Sequence, residues 1–185
     1  MIGKLVQAAV LVAVGLTVGG ASGCTPQTAT PAKRPAAPDY QAPVGAVPAA
    51  ASTRAICYND ADLAVMHGRM VHQELTVATL QCQNASGARA FEGAYSSFLA
   101  KFTSELTTNG RSLNEVARKR RLNVDVVVTE FANRTAQKAP VDKEFCSRSL
   151  RALEWALDPK VTTLNQVPPP YDLGPDMNMY PCASK

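Results

Sequence analysis

Residues 59–82 read NDADLAVMHGRMVHQELTVATLQC, and this stretch decides the fold class. Asn59 or Asp60 supplies an N-terminal helix cap. From there Ala61, Ala64, Gly68, Val71, Leu75, Ala78 and Cys82 recur at alternating steps of three and four, the period of one helical face. Most of that stripe is small, so a neighbouring helix can approach closely.

Downstream, Phe91, Tyr95, Phe98, Phe102 and Leu106 lie on one face of a helix spanning roughly residues 88–106. Large rings opposite small residues make an interlocking core. Asn109-Gly110 is expected to end this helix. Ser112-Leu113-Asn114-Glu115 fits a capping box and opens a short third helix to Arg121. Leu122 to Lys138 carries two periods. Leu122, Val124, Val126 and Val128 alternate as in a strand, whereas Val124, Val127, Val128, Phe131, Ala132 and Thr135 keep helical spacing over three turns. The longer period wins, because a lone strand has no partner here. Asp142 then caps a last helix with Cys146, Leu150, Leu153 and Leu157 inward, stopped by Asp158-Pro159.

The expected fold is an all-α, small four- to five-helix up-and-down bundle over residues 56–158 with two disulfides, followed by an irregular Pro-rich tail, 159–185. Tyr171, Leu173, Met177, Met179 and Tyr180 make that tail partly apolar, so it either packs back on the bundle or presents an interaction surface.

Geometry limits the cysteine pairing. A continuous first helix rising about 1.5 Å per residue separates Cys57 from Cys82 by roughly 33 Å, whereas a disulfide needs Cα atoms within about 7 Å. In an up-and-down arrangement Cys82 meets Cys146 at one end, and the tail returns Cys182 towards Cys57. With His67 and His72 the only histidines, five positions apart, no metal or other cofactor is expected.

Upstream, residues 24–55 are Pro/Ala-rich and lack apolar periodicity, the composition of a disordered tether. About thirty such residues reach at most roughly 90 Å at ~3.1 Å each. Before them stand Lys4, an apolar run from Leu5 to Val18, the breakers Gly19 and Gly20, and Ala21-Ser22-Gly23 ahead of Cys24.

Residues 1–23 and Cys24 resemble the signal peptide and lipobox of bacterial lipoproteins. The resemblance implies cleavage before Cys24, lipidation of that cysteine with palmitate among the acyl groups, and a membrane anchor in the cell envelope. Thr25, rather than Asp, follows the cysteine, which in lipoproteins of two-membrane bacteria implies an outer-membrane location facing the periplasm. Without the resemblance, the same residues read as a secretion signal that leaves Cys24 as a thiol, or as an uncleaved anchor over Leu5 to Gly23. Lipidation of Cys24 leaves four cysteines, an even number suited to an oxidising compartment.

The chain carries 19 Lys and Arg against 15 Asp and Glu, a net charge of +4, too weak to imply nucleic acid as a partner. Arg118-Lys119-Arg120-Arg121 is the one dense charge run; it reads as a solvated helix end or as a contact for anionic lipid or an acidic partner. No nucleophile elbow, zinc-protease motif or phosphate loop occurs. His67 and Glu74, two turns apart, could form a buried acid–base pair, although a residue bordering a core stripe is the more common role for each. The expected function is therefore non-enzymatic: a membrane-anchored envelope lipoprotein with a protein-interaction or assembly-accessory role. By architecture alone, a small helical lipoprotein with a disulfide resembles the pilotins that escort secretion channels. The alternative is an envelope enzyme or small-ligand-binding bundle with a cavity near His67 and Glu74.

Overall fold

The computed structural model describes residues 38–42 and 57–182; the expected signal segment, Cys24 and the rest of the tether lie outside the described residues. The elements run β1 (Cys57–Tyr58), α1 (Asp60–Gln81), α2 (Glu92–Arg120), α3 (Val124–Lys138), α4 (Phe145–Ala156), 3-10 turns at Leu164–Gln166 and Pro175–Met177, and β2 (Tyr180–Pro181). Four helices form a small all-α bundle. β1 and β2 pair in parallel over two residues, with Cys57 opposite Tyr180 and Tyr58 opposite Pro181.

Asn59 caps α1 by accepting the Asp62 N–H at 2.8 Å. The expected stripe is buried at Gly68, Val71, Leu75, Ala78 and Cys82, while Ala61 is exposed and Ala64 half-buried. Burial extends well beyond one stripe, taking in Met66, Met70, Glu74, Val77 and Thr79 as well. No residue from Asp62 to Thr79 is exposed, so α1 is the central helix, packed against α2, α3 and α4.

The second and third expected helices are one, α2, of 29 residues. Asn109-Gly110 does not end it, and Ser112-Leu113-Asn114-Glu115 lies inside it rather than capping a new helix. Phe98, Phe102, Asn109, Leu113, Val116 and Ala117 continue one buried stripe across the Asn-Gly pair. Packing along that stripe outweighs a helical glycine's penalty of about 1 kcal/mol. Asn109 is itself turned inward: its Nδ2 donates to the Val65 carbonyl at 2.8 Å. A Cβ on Gly68 would stand 2.9 Å from that Nδ2, so the glycine is what lets α1 and α2 close at this level.

α3 confirms the helical period, with Asn123 capping and Val127, Phe131 and Thr135 buried. In α4 the inward face is rotated from the expected one. Phe145, Ser149, Ala152, Leu153 and Ala156 are buried, whereas Cys146 is exposed and Leu150 and Leu157 are half-buried. Small residues at 149, 152 and 156 suit a close approach to the core, and Phe145 goes inward to stack on Tyr171 at 5.9 Å between ring centroids. The helix begins after Glu144, not at Asp142, whose Oδ1 accepts the Glu144 N–H.

Cys57 is bonded to Cys182 and Cys82 to Cys146, so the first links the start of α1 to the C-terminal segment and the second links the end of α1 to the start of α4. Residues 38–42 fall inside the expected disordered tether, yet they are packed on the bundle. Tyr40 is 1% exposed, its hydroxyl donates to the Pro168 carbonyl at 2.8 Å, and the Ala42 N–H donates to the Pro170 carbonyl at 2.9 Å. A single aromatic residue supplies the apolar area that the surrounding composition lacks.

Phe98 is fully buried between Tyr95 and Phe102, with ring centroids 6.0 and 5.2 Å away. Phe98→Ala is expected to cost about 3–5 kcal/mol, read as a fall in the denaturant midpoint. An unchanged midpoint would mean that the ring is not a core residue.

Candidate functional site

The described residues with the densest long-range polar contacts lie where the C-terminal segment crosses α1. Among the described residues after α4 there is no long helix, and three consecutive prolines, Pro168 to Pro170, occur. Prolines have no N–H, so this segment cannot satisfy its backbone through a ladder of its own. The bundle supplies partners instead. Glu105 accepts the Leu164 N–H at 3.0 Å, Trp155 Nε1 donates to the Gln166 carbonyl at 2.7 Å, and His67 Nε2 donates to the Val167 carbonyl at 2.9 Å. Tyr40 and Ala42 take the carbonyls of Pro168 and Pro170. Next, Glu74 Oε2 accepts the Tyr171 N–H at 2.9 Å, and Met70 Sδ accepts the Leu173 N–H at 3.3 Å. Val161, Leu164, Val167, Tyr171, Leu173 and Met179 are buried beneath this strap, so the tail packs back on the bundle.

His67 and Glu74 therefore do not form an acid–base pair. Each holds a different peptide group of the strap. The Glu74 carboxyl is 1% exposed, its Oε1 has no hydrogen-bond partner, and burial pushes its pKa well above the ordinary carboxylate range despite the Tyr171 N–H. His72 is pushed down to about 4 by burial, with Arg69 adding to the shift, so it is neutral near pH 7. Its Nδ1 accepts from Arg69 Nη1 at 3.2 Å.

Around Tyr171 the polar groups interlock. Its hydroxyl donates to Asp142 Oδ2 at 2.6 Å, and the Arg148 guanidinium lies 5.7 Å from the ring centroid while its Nη1 donates to the Tyr40 carbonyl at 2.7 Å. The Tyr171 phenol holds the Asp142 carboxyl below its ordinary range, against the opposing effect of burial and with help from the Glu144 N–H and Arg148. Burial and the bond to Asp142 push the Tyr171 phenol up. Four parts of the chain meet here: residues 38–42, α1, α4 and the strap.

At the other end of α1 the basic run divides. Lys119 Nζ and Arg120 Nη2 reach Asp62 at 3.2 and 3.0 Å, and the Arg120 guanidinium lies 4.8 Å from the Tyr58 ring centroid. Burial alone would raise Asp62, but the hydrogen bonds from Arg120 and Lys119 outweigh it and hold the carboxyl below its ordinary value. Arg118 and Arg121 are exposed. Of the run Arg118, Lys119, Arg120 and Arg121, Arg120 is therefore committed to the fold, while Arg118, Lys119 and Arg121 stay exposed.

The sequence reading missed Tyr40, Arg148 and the contacts of Asp62, and gave Asp142 only a helix-cap role. Tyr40 had a readable signal, as the lone aromatic in an Ala/Pro-rich stretch. The other three look like ordinary helix-end or surface charges. Comparison with known protein families, with curated proteins and with solved structures returns no match for this chain.

Arg120→Gln is expected to cost about 1–3 kcal/mol, because it removes a charged hydrogen bond from a buried carboxylate. Arg121→Gln should stay within about 0.5 kcal/mol, since its side chain is exposed. Urea denaturation of the two variants decides the assignment, and equal midpoints would return Arg120 to the surface. Tyr40→Ala is expected to cost about 3–5 kcal/mol by emptying a buried aromatic site, a loss a free tether residue would not show.

Proposed function

We propose that this protein is a lipid-anchored envelope protein whose helical domain acts through protein contacts, in an accessory or assembly role. The observation that carries the reading is the run from Lys4 to Cys24, with its charged start, apolar stretch and small residues before the cysteine. The pairing of the other four cysteines with one another supports it, because it suits an oxidising compartment and leaves Cys24 for lipid. Thr25 after the cysteine favours the outer membrane, facing the periplasm.

The contact role, in preference to an envelope enzyme or a small-ligand binder, is supported by the use of His67 and Glu74. Both side chains are committed to the strap backbone, where a catalytic pair would have to face substrate. Arg118 and Arg121 remain exposed for anionic headgroups or an acidic partner surface. Residues 38–42, within the expected tether, are packed on the bundle.

Intact-mass analysis of the mature protein tests the anchor. A chain beginning at Cys24 and carrying acyl groups is expected, with Cys24→Ala moving the protein from the detergent phase to the aqueous phase. An unmodified chain beginning elsewhere would end the lipoprotein reading.

A further inference from the structure

Glu74 stands apart from the other acidic residues described. It is 1% exposed on the central helix, with one oxygen bonded to a strap peptide and the other without a partner. Asp62 and Asp142, by contrast, are each met by cationic side chains. The groups facing Glu74 come from three elements: Tyr40 from the N-terminal segment, Tyr171 and Asp172 from the strap, and Lys138 from the end of α3. Asp142 and Arg148 stand one step away, on the far side of Tyr171. Tyr40 directs its hydroxyl to Pro168, and Lys138 pairs with Asp176 at 3.5 Å. Neither gives Glu74 the contact that a buried carboxylate requires.

The strap offers α1 few backbone donors at this point. Pro168, Pro169 and Pro170 offer no N–H, and Leu173 donates to a thioether, a weak acceptor. Glu74 is therefore the strongest acceptor that α1 offers to the strap between Val167 and Leu173. Val167, Tyr171 and Leu173 also pack in the apolar core, and outside this stretch the chain is secured by the two disulfides and by the contacts of α1 with the other helices.

We infer that Glu74 is a proton-operated latch on the C-terminal strap: its neutral carboxyl keeps residues 167–173 closed over α1, and its ionisation opens them while the helices stay folded. In the closed state a carboxylate would be dry and short of donors, whereas in the open state water solvates it. The closed form therefore binds the proton more tightly. Its stability is full below the open-state pKa of about 4.3 and falls as pH rises towards the closed-state pKa. Within that window the opening constant grows about tenfold per pH unit. Opening would uncover Val167, Tyr171 and Leu173, which are otherwise buried.

Hydrogen–deuterium exchange on the full chain tests the latch. Wild type and Glu74→Gln are compared from about pH 5 to about pH 9 at the amides of Tyr171 and Leu173, with amides of α1 and α2 as the internal reference. Taking the ratio to Glu74→Gln at each pH cancels the intrinsic rate. The expected result is a ratio rising up to tenfold per pH unit at the strap and flat in the helices. Any constant offset from the glutamine amide leaves that slope unchanged.

Asp172→Asn and Lys138→Gln extend the test if Glu74→Gln fails to fold. Removing the Asp172 charge should lower the upper end of the window, and removing the Lys138 charge should raise it. A flat strap ratio overturns the latch, as does one matched by the helices. If Glu74→Gln does not fold, a window unmoved by both charge variants overturns it. None of these outcomes depends on the lipid anchor.

Discussion

Helix α1 has no exposed residue between Asp62 and Thr79, so the polar groups it buries must find partners inside the protein or remain unsatisfied. That constraint shapes the rest of the molecule. α2 and α3 cover much of the apolar surface, and α4 and the strap complete the enclosure. The polar residues that α1 carries inward then select what can lie against them. Asp62 draws Lys119 and Arg120 from the end of α2, His67 and Glu74 take strap peptide groups, and Thr76 meets the Tyr95 hydroxyl at 2.6 Å. Each contact satisfies a buried group and also fixes the register of its neighbour.

The strap is the converse case. A segment with three successive prolines cannot build a ladder, so it needs an external scaffold of donors and acceptors. α1 provides part of it, and Tyr40 and Ala42 from the N-terminal side provide the rest. Two extended segments from opposite ends of the domain thus satisfy each other across α4. The Cys57–Cys182 disulfide closes the arrangement over a sequence separation of 125 residues. A link that long removes substantial entropy from the unfolded chain, of order 4–5 kcal/mol in the loop-closure account.

Stability is unevenly distributed as a result. The Phe98–Phe102 region is apolar and tightly packed, and the Cys82–Cys146 bond joins the end of α1 to the start of α4. Under the strap, apolar burial is joined by individual side-chain-to-backbone bonds, one of them made by a carboxyl whose charged form is disfavoured there. Regions held by few specific bonds open before the body does. The asymmetry separates a rigid helical core from a segment able to respond to its surroundings.

Much of this architecture was legible without coordinates. Hydrophobic period made α1, α3 and the aromatic face of α2 readable, because one buried face imposes a spacing that polar residues cannot mimic. Helix length excluded Cys57–Cys82, and the up-and-down arrangement then pointed to the observed pairing. The sequence also carries the charged start, apolar run and small residues of residues 1–24 on which the proposed anchor rests. Only the tertiary structure decided the fate of Asn109-Gly110, where a local stop signal yielded to contacts with Val65 and Gly68. The same holds for the rotation of α4 towards Phe145, for Arg120 on Asp62, and for Tyr40 packed where composition implied a free tether. In each case the deciding energy comes from groups far apart in sequence, from 26 residues for Phe145 and Tyr171 to 128 for Tyr40 and Pro168, and a local pattern carries no record of them.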